Sequence, residues 1–312
     1  MLQGTETHPV IQAIRNPKEG DRVALVIEGG GMRGAVSGGM GLGLHELGFA
    51  DSFDAVYGSS AGALNGMWLL SGRGPDGIHT WTDADLGKVV MNKRRIFGPR
   101  PIVDMKTVIE QHYERISPGL FQAALEADTE FHPLATDIET GLAVDLHEQI
   151  IDRESLILAI RSTSTLPLIG GPPVELNGAR YLDAGLSSAI PFQAAIDDGA
   201  THLLLLRSRK AGDVARDPSG VGGRLTTRML GRISPAVRDG YLTRGQREGA
   251  DEEFLARHDI ETGLSPSILQ IRPDPEAPVP SRLESNMEIV RAGLESGRQA
   301  VRLAFSGLVN TR

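Results

Sequence analysis

The stretch VALVIEGGGMRGAVSGGMGLGLHELGFADSFDAVYGSSAGALNG, residues 23 to 66, holds two strand-to-helix turns in succession. Val23 to Ile27 is an apolar run with β-branched residues that stops at Glu28 and the glycines Gly29, Gly30 and Gly31. After Met32, Arg33 and Gly34, small and apolar residues continue at helical spacing. Asp54 to Tyr57 reads as a second strand; it enters Gly58, Ser59, Ser60, Ala61 and Gly62, and Ala63, Leu64, Met67, Trp68 and Leu69 continue as a buried helix. Gly-x-Ser-x-Gly between a strand and a helix has the form of a nucleophile elbow, in which flanking glycines let the chain turn so sharply that the serine oxygen stands clear of the sheet. Ser60 is therefore the candidate nucleophile, supported by Gly58 and Gly62. The first turn supplies what that serine needs. Backbone N–H groups of Gly29, Gly30, Gly31 and Met32, at the start of a helix and free of bulky side chains, form a concavity where a developing oxyanion can be held.

Gly29, Gly31 and Gly34 also satisfy Gly-x-Gly-x-x-Gly after a strand, the fingerprint of a dinucleotide-binding oxidoreductase. That reading requires an acidic residue at the end of the second strand, about twenty residues on. Asp51 and Asp54 instead precede the strand, whose end is the Gly58 to Gly62 turn.

The search for a base to partner Ser60 leads to Tyr181, Leu182, Asp183, Ala184 and Gly185, at the end of a hairpin read over Val174 to Leu182. Gly-Gly-Gly-x-Arg-Gly at 29 to 34, Gly-x-Ser-x-Gly at 58 to 62 and Asp-Ala-Gly at 183 to 185, in that order, resemble the patatin-like phospholipase family. The resemblance covers roughly Arg22 to Arg209. It implies an α/β protein, a three-layer α/β/α fold with a central, mostly parallel sheet. It further implies a serine acyl hydrolase that cleaves fatty-acyl esters of phospholipids or other lipids, with Ser60 and Asp183 as a Ser/Asp dyad in place of a triad and no cofactor. Arg33, Gly34 and Gly185 complete the matched motifs. Glu28 stands where the family more often has Asp, and Asp183 is followed by Ala-Gly; both departures keep charge or small size. A catalytically silent lipid-binding protein of the same fold is the further alternative.

None of the eight histidines sits in a motif that marks a catalytic base: His45 falls inside the first helix, His202 begins a strand and the rest lie in polar contexts. No pair has metal-ligand spacing, so no metal is expected.

With 312 residues, 40% of them hydrophobic, the chain can bury a substantial core. A net charge of -8 argues against general nucleic-acid binding. The absence of cysteine excludes disulfides and thiolate metal sites and fits a cytoplasmic, reducing compartment. Residues 1–21 read as a loose polar leader lacking the apolar core of a signal peptide, 22–209 as the catalytic domain, and 210–312 as an extension of helices and a strand packed on the same domain. Apolar runs such as Leu203 to Leu206 are too short to cross a bilayer, so membrane contact would be peripheral.

The candidate for that contact lies within Arg207 to Arg247, where nine Arg and one Lys face only Asp213, Asp217 and Asp239. Arg224, Arg228 and Arg232 recur every four residues and form one helical stripe beside Leu225, Met229 and Ile233. A basic face that pairs with acids elsewhere in the fold is the competing reading.

Elsewhere, Ser71 to Asp85 is rich in Gly, Pro and Asp and reads as a surface excursion, followed by a short helical piece, Leu86 to Met91, and a basic run, Lys93 to Arg95. Helices are expected over Asp104 to Glu114, Leu120 to Ala127, Glu154 to Ser162 and Pro191 to Ala200, and a hairpin over Phe131 to Ile138 and Ala143 to Leu146. The family resemblance makes the segment Thr163 to Pro167 a candidate wall of an acyl pocket, and a Pro/Gly turn that only joins helix to strand is the equal alternative. His202 to Leu206 and Ser267 to Ile271 read as strands. Pro280 to Phe305 reads as one long helix with Leu283, Met287, Val290, Leu294 and Val301 on a face.

Overall fold

Every residue of Val23–Ile27 is buried, with no polar alternation, because this strand is internal to a sheet covered on both faces. The computed structural model describes residues 8–90, 92, 94–95, 98, 100–213, 221–261 and 263–306. Its strands are β1 Val23–Ile27, β2 Ala55–Ser59, β3 Glu130–Asp137, β4 Ala143–Asp145, β5 Val174–Leu176, β6 Ala179–Asp183, β7 His202–Leu206 and β8 Ser267–Ile271. They form one sheet in the order β5-β6-β3-β2-β1-β7-β8, with β4 paired to β3. β3, β2, β1, β7 and β8 run parallel, while β4 and β6 are antiparallel to β3.

Side chains alternate between the two faces of each strand. Leu25, Ile27, Val56, Leu204 and Leu206 share one core with Met40 and Leu44 of helix Gly34–Glu46 and Met67 of helix Ala61–Leu70. Ala24, Val26, Tyr57, Leu203 and Leu205 face the other way, onto Phe192 and Ala195 of helix Phe192–Asp197 and Leu255 of helix Pro235–Ile260. The result is a three-layer α/β/α fold. Each fully buried Leu or Ile in the middle layer contributes about 1.5–3 kcal/mol.

Four stretches differ from what the sequence suggests. Within the polar leader, Pro9–Arg15 is a helix, capped by His8, whose Val10, Ile11, Ala13 and Ile14 are buried in the first core. The surface excursion contains helix Gly74–Thr82: its Pro and Asp occupy the first turn, where both favour a helix, so a composition that resembles a turn starts one. Helix Pro235–Ile260, begun by Ser234 as N-cap, carries too few apolar residues for periodicity to reveal it. The last helix spans Met287–Ala304 only, because Asn286 caps it; Leu283 lies before it, off the helical face. Met91 and Lys93 fall outside the described residues. Arg95 of the basic run turns inward to the carbonyls of Val89 and Pro101.

Glycines of helices Gly34–Glu46 and Met287–Ala304 let the two pack closely. A Cβ on Gly39 would lie 1.9 Å from the Leu294 carbonyl oxygen, and one on Gly297 2.0 Å from that of Val36. Helix Met287–Ala304 thereby rests backbone to backbone on the helix that follows the glycine turn, and fixes it against the sheet.

Candidate active site

Ser60 sits between β2 and helix Ala61–Leu70 at φ 52°, ψ −123°, a conformation that L side chains rarely adopt. The elbow closes because its flanking residues lack Cβ atoms: a Cβ on Gly62 would lie 2.2 Å from the Ile27 carbonyl oxygen, and one on Gly58 2.4 Å from Ala63 Cα. The Ser60 N–H donates to Thr163 Oγ1 at 2.8 Å, a partner that no sequence motif signals.

Asp183 ends β6, which the antiparallel pairing Ala135↔Asp183 lays against β3. Its backbone is held from both sides: the N–H donates to Thr165 O (2.9 Å), and its carbonyl accepts from Thr136 Oγ1 (2.9 Å). Asp183 is 4% exposed. Oδ2 accepts from Ser60 Oγ at 2.7 Å, and Oδ1 accepts from the Gly185 N–H at 2.8 Å. Burial pushes the Asp183 pKa above the usual carboxylate range, outweighing the hydrogen bonds from Ser60 and Gly185 and the charges of Arg282 and Arg244.

In the glycine turn, two of the four expected oxyanion donors are engaged. Gly29 N–H donates to Ala189 O (2.9 Å), and Met32 N–H to Arg282 O (3.0 Å). Among the described residues the N–H groups of Gly30 and Gly31 have no acceptor, and neither does that of Ala61, directly after the serine. Gly31 adopts φ +59° and lies so close under the Arg282 carbonyl that a Cβ there would be 2.5 Å from it. Glu28 anchors the turn from behind. Fully buried, it pairs with Arg207 (3.2 Å) and Arg209 (2.8 Å) and accepts from the Ser208 N–H (2.7 Å). Burial alone would raise its pKa, but Arg207, Arg209 and Arg33 together hold it down at about 2. Arg33 is half-buried beside Gly30, and its Nε has no hydrogen-bond partner. Gly34 packs under Trp81 and Ala61.

A family model for patatin-like phospholipases matches residues 25–196. The chain belongs to the patatin-like phospholipase family. It is 28% identical over 203 residues to the uncharacterized protein YjjU of Escherichia coli, a match covering 62% of this chain and about half (53%) of that protein. The crystal structure of VipD from Legionella pneumophila shares its fold, with a TM-score of 0.51 and 13% identity over 92% of this chain and 67% of that one.

Beside Ser60 this patatin-like chain has a narrow, mostly apolar slot of about 80 Å³, lined among others by Leu64, Trp81, Val108, Tyr113, Leu166 and Leu283. Its walls come from the helices after Ser71, from the Thr163 to Pro167 segment, and from the strap 280–286 that crosses the glycine turn. The supposed surface excursion is thus part of the site. Among the described residues no histidine lines the slot or hydrogen-bonds to Ser60 or Asp183.

Proposed function

We propose that this member of the family is a serine acyl hydrolase that cleaves fatty-acyl esters of lipids through an acyl-serine intermediate. The observation that carries the reading is the 2.7 Å hydrogen bond from Ser60 Oγ to the buried Asp183 carboxylate, at the mouth of an apolar slot. Ser60 Oγ attacks the ester carbonyl carbon as its proton passes to Asp183 Oδ2. The tetrahedral intermediate collapses, the alcohol or lysolipid leaves with that proton, and the acyl chain stays on Ser60. Water then attacks the acyl-serine, losing a proton to Asp183, and the fatty acid departs as Ser60 regains its hydrogen. An ordinary carboxylate, with a pKa near 3.9, is a weak base for a hydroxyl. Burial of Asp183 improves it, and the unengaged N–H groups of Gly30, Gly31 and Ala61 are the oxyanion donors, each worth about 3 kcal/mol.

An alkyl fluorophosphonate should label the intact protein at Ser60, located by peptide mass spectrometry, and p-nitrophenyl esters should be hydrolysed. A label on another residue, or no ester cleaved at any chain length, would refute the assignment.

The reading extends to where the substrate is met. Among the described residues no helix is long and apolar enough to cross a membrane. In helix Val221–Ile233, Leu230 is buried against Leu182 and Leu186, which flank Asp183, so this helix lies at the site's end of the sheet. Its other face exposes Arg224, Leu225, Arg228, Met229 and Arg232. We infer a cytoplasmic protein that docks this face on anionic lipid, with charge attraction and apolar insertion acting together. Within the same basic segment Arg207 and Arg209 pair with Glu28, and Arg244 pairs with Glu248. Changing Arg224, Arg228 and Arg232 to Gln should lower turnover on anionic vesicles severalfold while leaving soluble p-nitrophenyl butyrate unaffected, and added salt should mimic this in the wild type. Equal loss on both substrates, or on neither, would remove the docking role.

A further inference from the structure

At the end of the sheet opposite Ser60 lies a cleft of about 420 Å³ that the hydrolase reading leaves unused. Ser60 follows the C-terminal end of β2, whereas Glu130 and His132 begin β3, in register with Ala55 and Tyr57. At about 3.3 Å per residue, His132 is roughly 10 Å back along the strands. Its side chain is 6% exposed, and the ring is stacked against Tyr57 and His147, with centroids 4.2 and 4.3 Å away. Nδ1 is 2.7 Å from Asp145 Oδ2, and a carboxylate only accepts, so Nδ1 bears a hydrogen and Nε2 is the ring atom left to offer a lone pair to a metal. That nitrogen is buried with no hydrogen-bond partner; Glu130 Oε2 is 3.5 Å away. One ligand atom each from Glu130, His132 and Asp198 lies within 4.8 Å of the other two. Asp198 is oriented in turn by the Tyr57 O–H at 2.5 Å.

We propose that Glu130, His132 and Asp198 form a site for a first-row divalent transition metal of the zinc type, which exchanges with the Arg22 guanidinium. A carboxylate-backed imidazole aimed at two further carboxylates has the form of a metal ligand whose tautomer is set by its outer partner. Without thiolates, an imidazole and carboxylates favour zinc and its neighbours over softer metals. Arg22 Nη2 bridges Glu130 Oε2 (2.5 Å) and Asp198 Oδ2 (2.7 Å), but it supplies a single charge and leaves Nε2 without a partner. A divalent ion supplies two charges and takes the lone pair as well. The Arg22 side chain is 30% exposed on a flexible stem, and both carboxylate side chains are over two-fifths exposed, so guanidinium and metal can trade places and water can complete the coordination. The ion would clip the start of β3 to the end of helix Phe192–Asp197, segments far apart in sequence.

Equilibrium dialysis of the full chain against Zn²⁺, with metal analysis, should find a single ion per chain. Glu130→Gln and His132→Gln should weaken binding at least tenfold, and Arg22→Gln should tighten it. His132 is in the core, so if its variant does not fold, the partly exposed Glu130 variant carries the test. Absence of stoichiometric zinc, equal affinity in Glu130→Gln, or unchanged or weaker affinity in Arg22→Gln would overturn the site and leave Arg22 as its resident cation.

Discussion

Ser60→Ala should reduce ester hydrolysis by at least about 10³-fold, the scale on which a lost serine nucleophile acts in other acyl-transfer enzymes, and should abolish fluorophosphonate labelling. The backbone has no reason to move: Ala is no more strained than Ser at φ 52°, and the Ser60 N–H bond to Thr163 does not involve the side chain. What changes is the carboxylate. Asp183 Oδ2 loses its donor while Oδ1 keeps the Gly185 N–H. The Ser60 hydrogen bond counteracts the burial that raises the Asp183 pKa, so removing it raises that pKa further. A hydrogen bond to a charged group is worth about 1.5–3 kcal/mol, and this one counts most where Asp183 is ionised. The variant's melting temperature should therefore fall short of the wild type by a few degrees above neutrality and by less in mild acid. Labelling that persists in Ser60→Ala would place the nucleophile elsewhere, whatever the melting curve shows.

The parts of this site that the sequence discloses are those fixed by local geometry. A glycine-flanked serine after an apolar strand can be read because Gly58 and Gly62 are required by atoms only a few residues away or on the adjoining strand. The internal strands β1, β2 and β7 are equally legible, since burial on both faces removes polar residues from them. What escapes is long-range. Thr163 reaches Ser60 from a different helix end, and Arg282 closes over Gly31 from a strap that its composition assigns to a helix. Glu130, His132 and Asp198 converge only because β3 and the end of helix Phe192–Asp197 meet in the fold; their spacing matches no ligand motif. The acidity of helix Pro235–Ile260 becomes meaningful only once Glu248 and Glu252 are found against Arg209 and Arg207. The same pairing explains why the basic segment is only partly an exposed stripe.

Asp183→Asn should be nearly as damaging as loss of the serine, by about 10⁴-fold, the cost of the equivalent change in a serine-protease triad. The amide can keep the shape of the carboxylate and accept from Ser60 or Gly185, but it cannot take a proton. The wild-type pH profile follows from the same group. The base must be ionised, so kcat/KM should rise with pH through the raised Asp183 pKa and then stay level, with no limb contributed by a histidine. Stability runs the other way. A carboxyl whose folded pKa exceeds its unfolded value binds more protons in the native state, so its contribution is full at low pH and is lost as pH rises through the folded pKa. Asp183→Asn removes that loss: relative to wild type, its melting temperature should increase from about pH 4 to about pH 7, while hydrolysis stays abolished at both. Single replacement of each of the eight histidines should leave most activity in every variant that folds. A variant at Asp183 that hydrolyses esters normally, or an acid limb that vanishes with a histidine instead, would transfer the role of base to another residue.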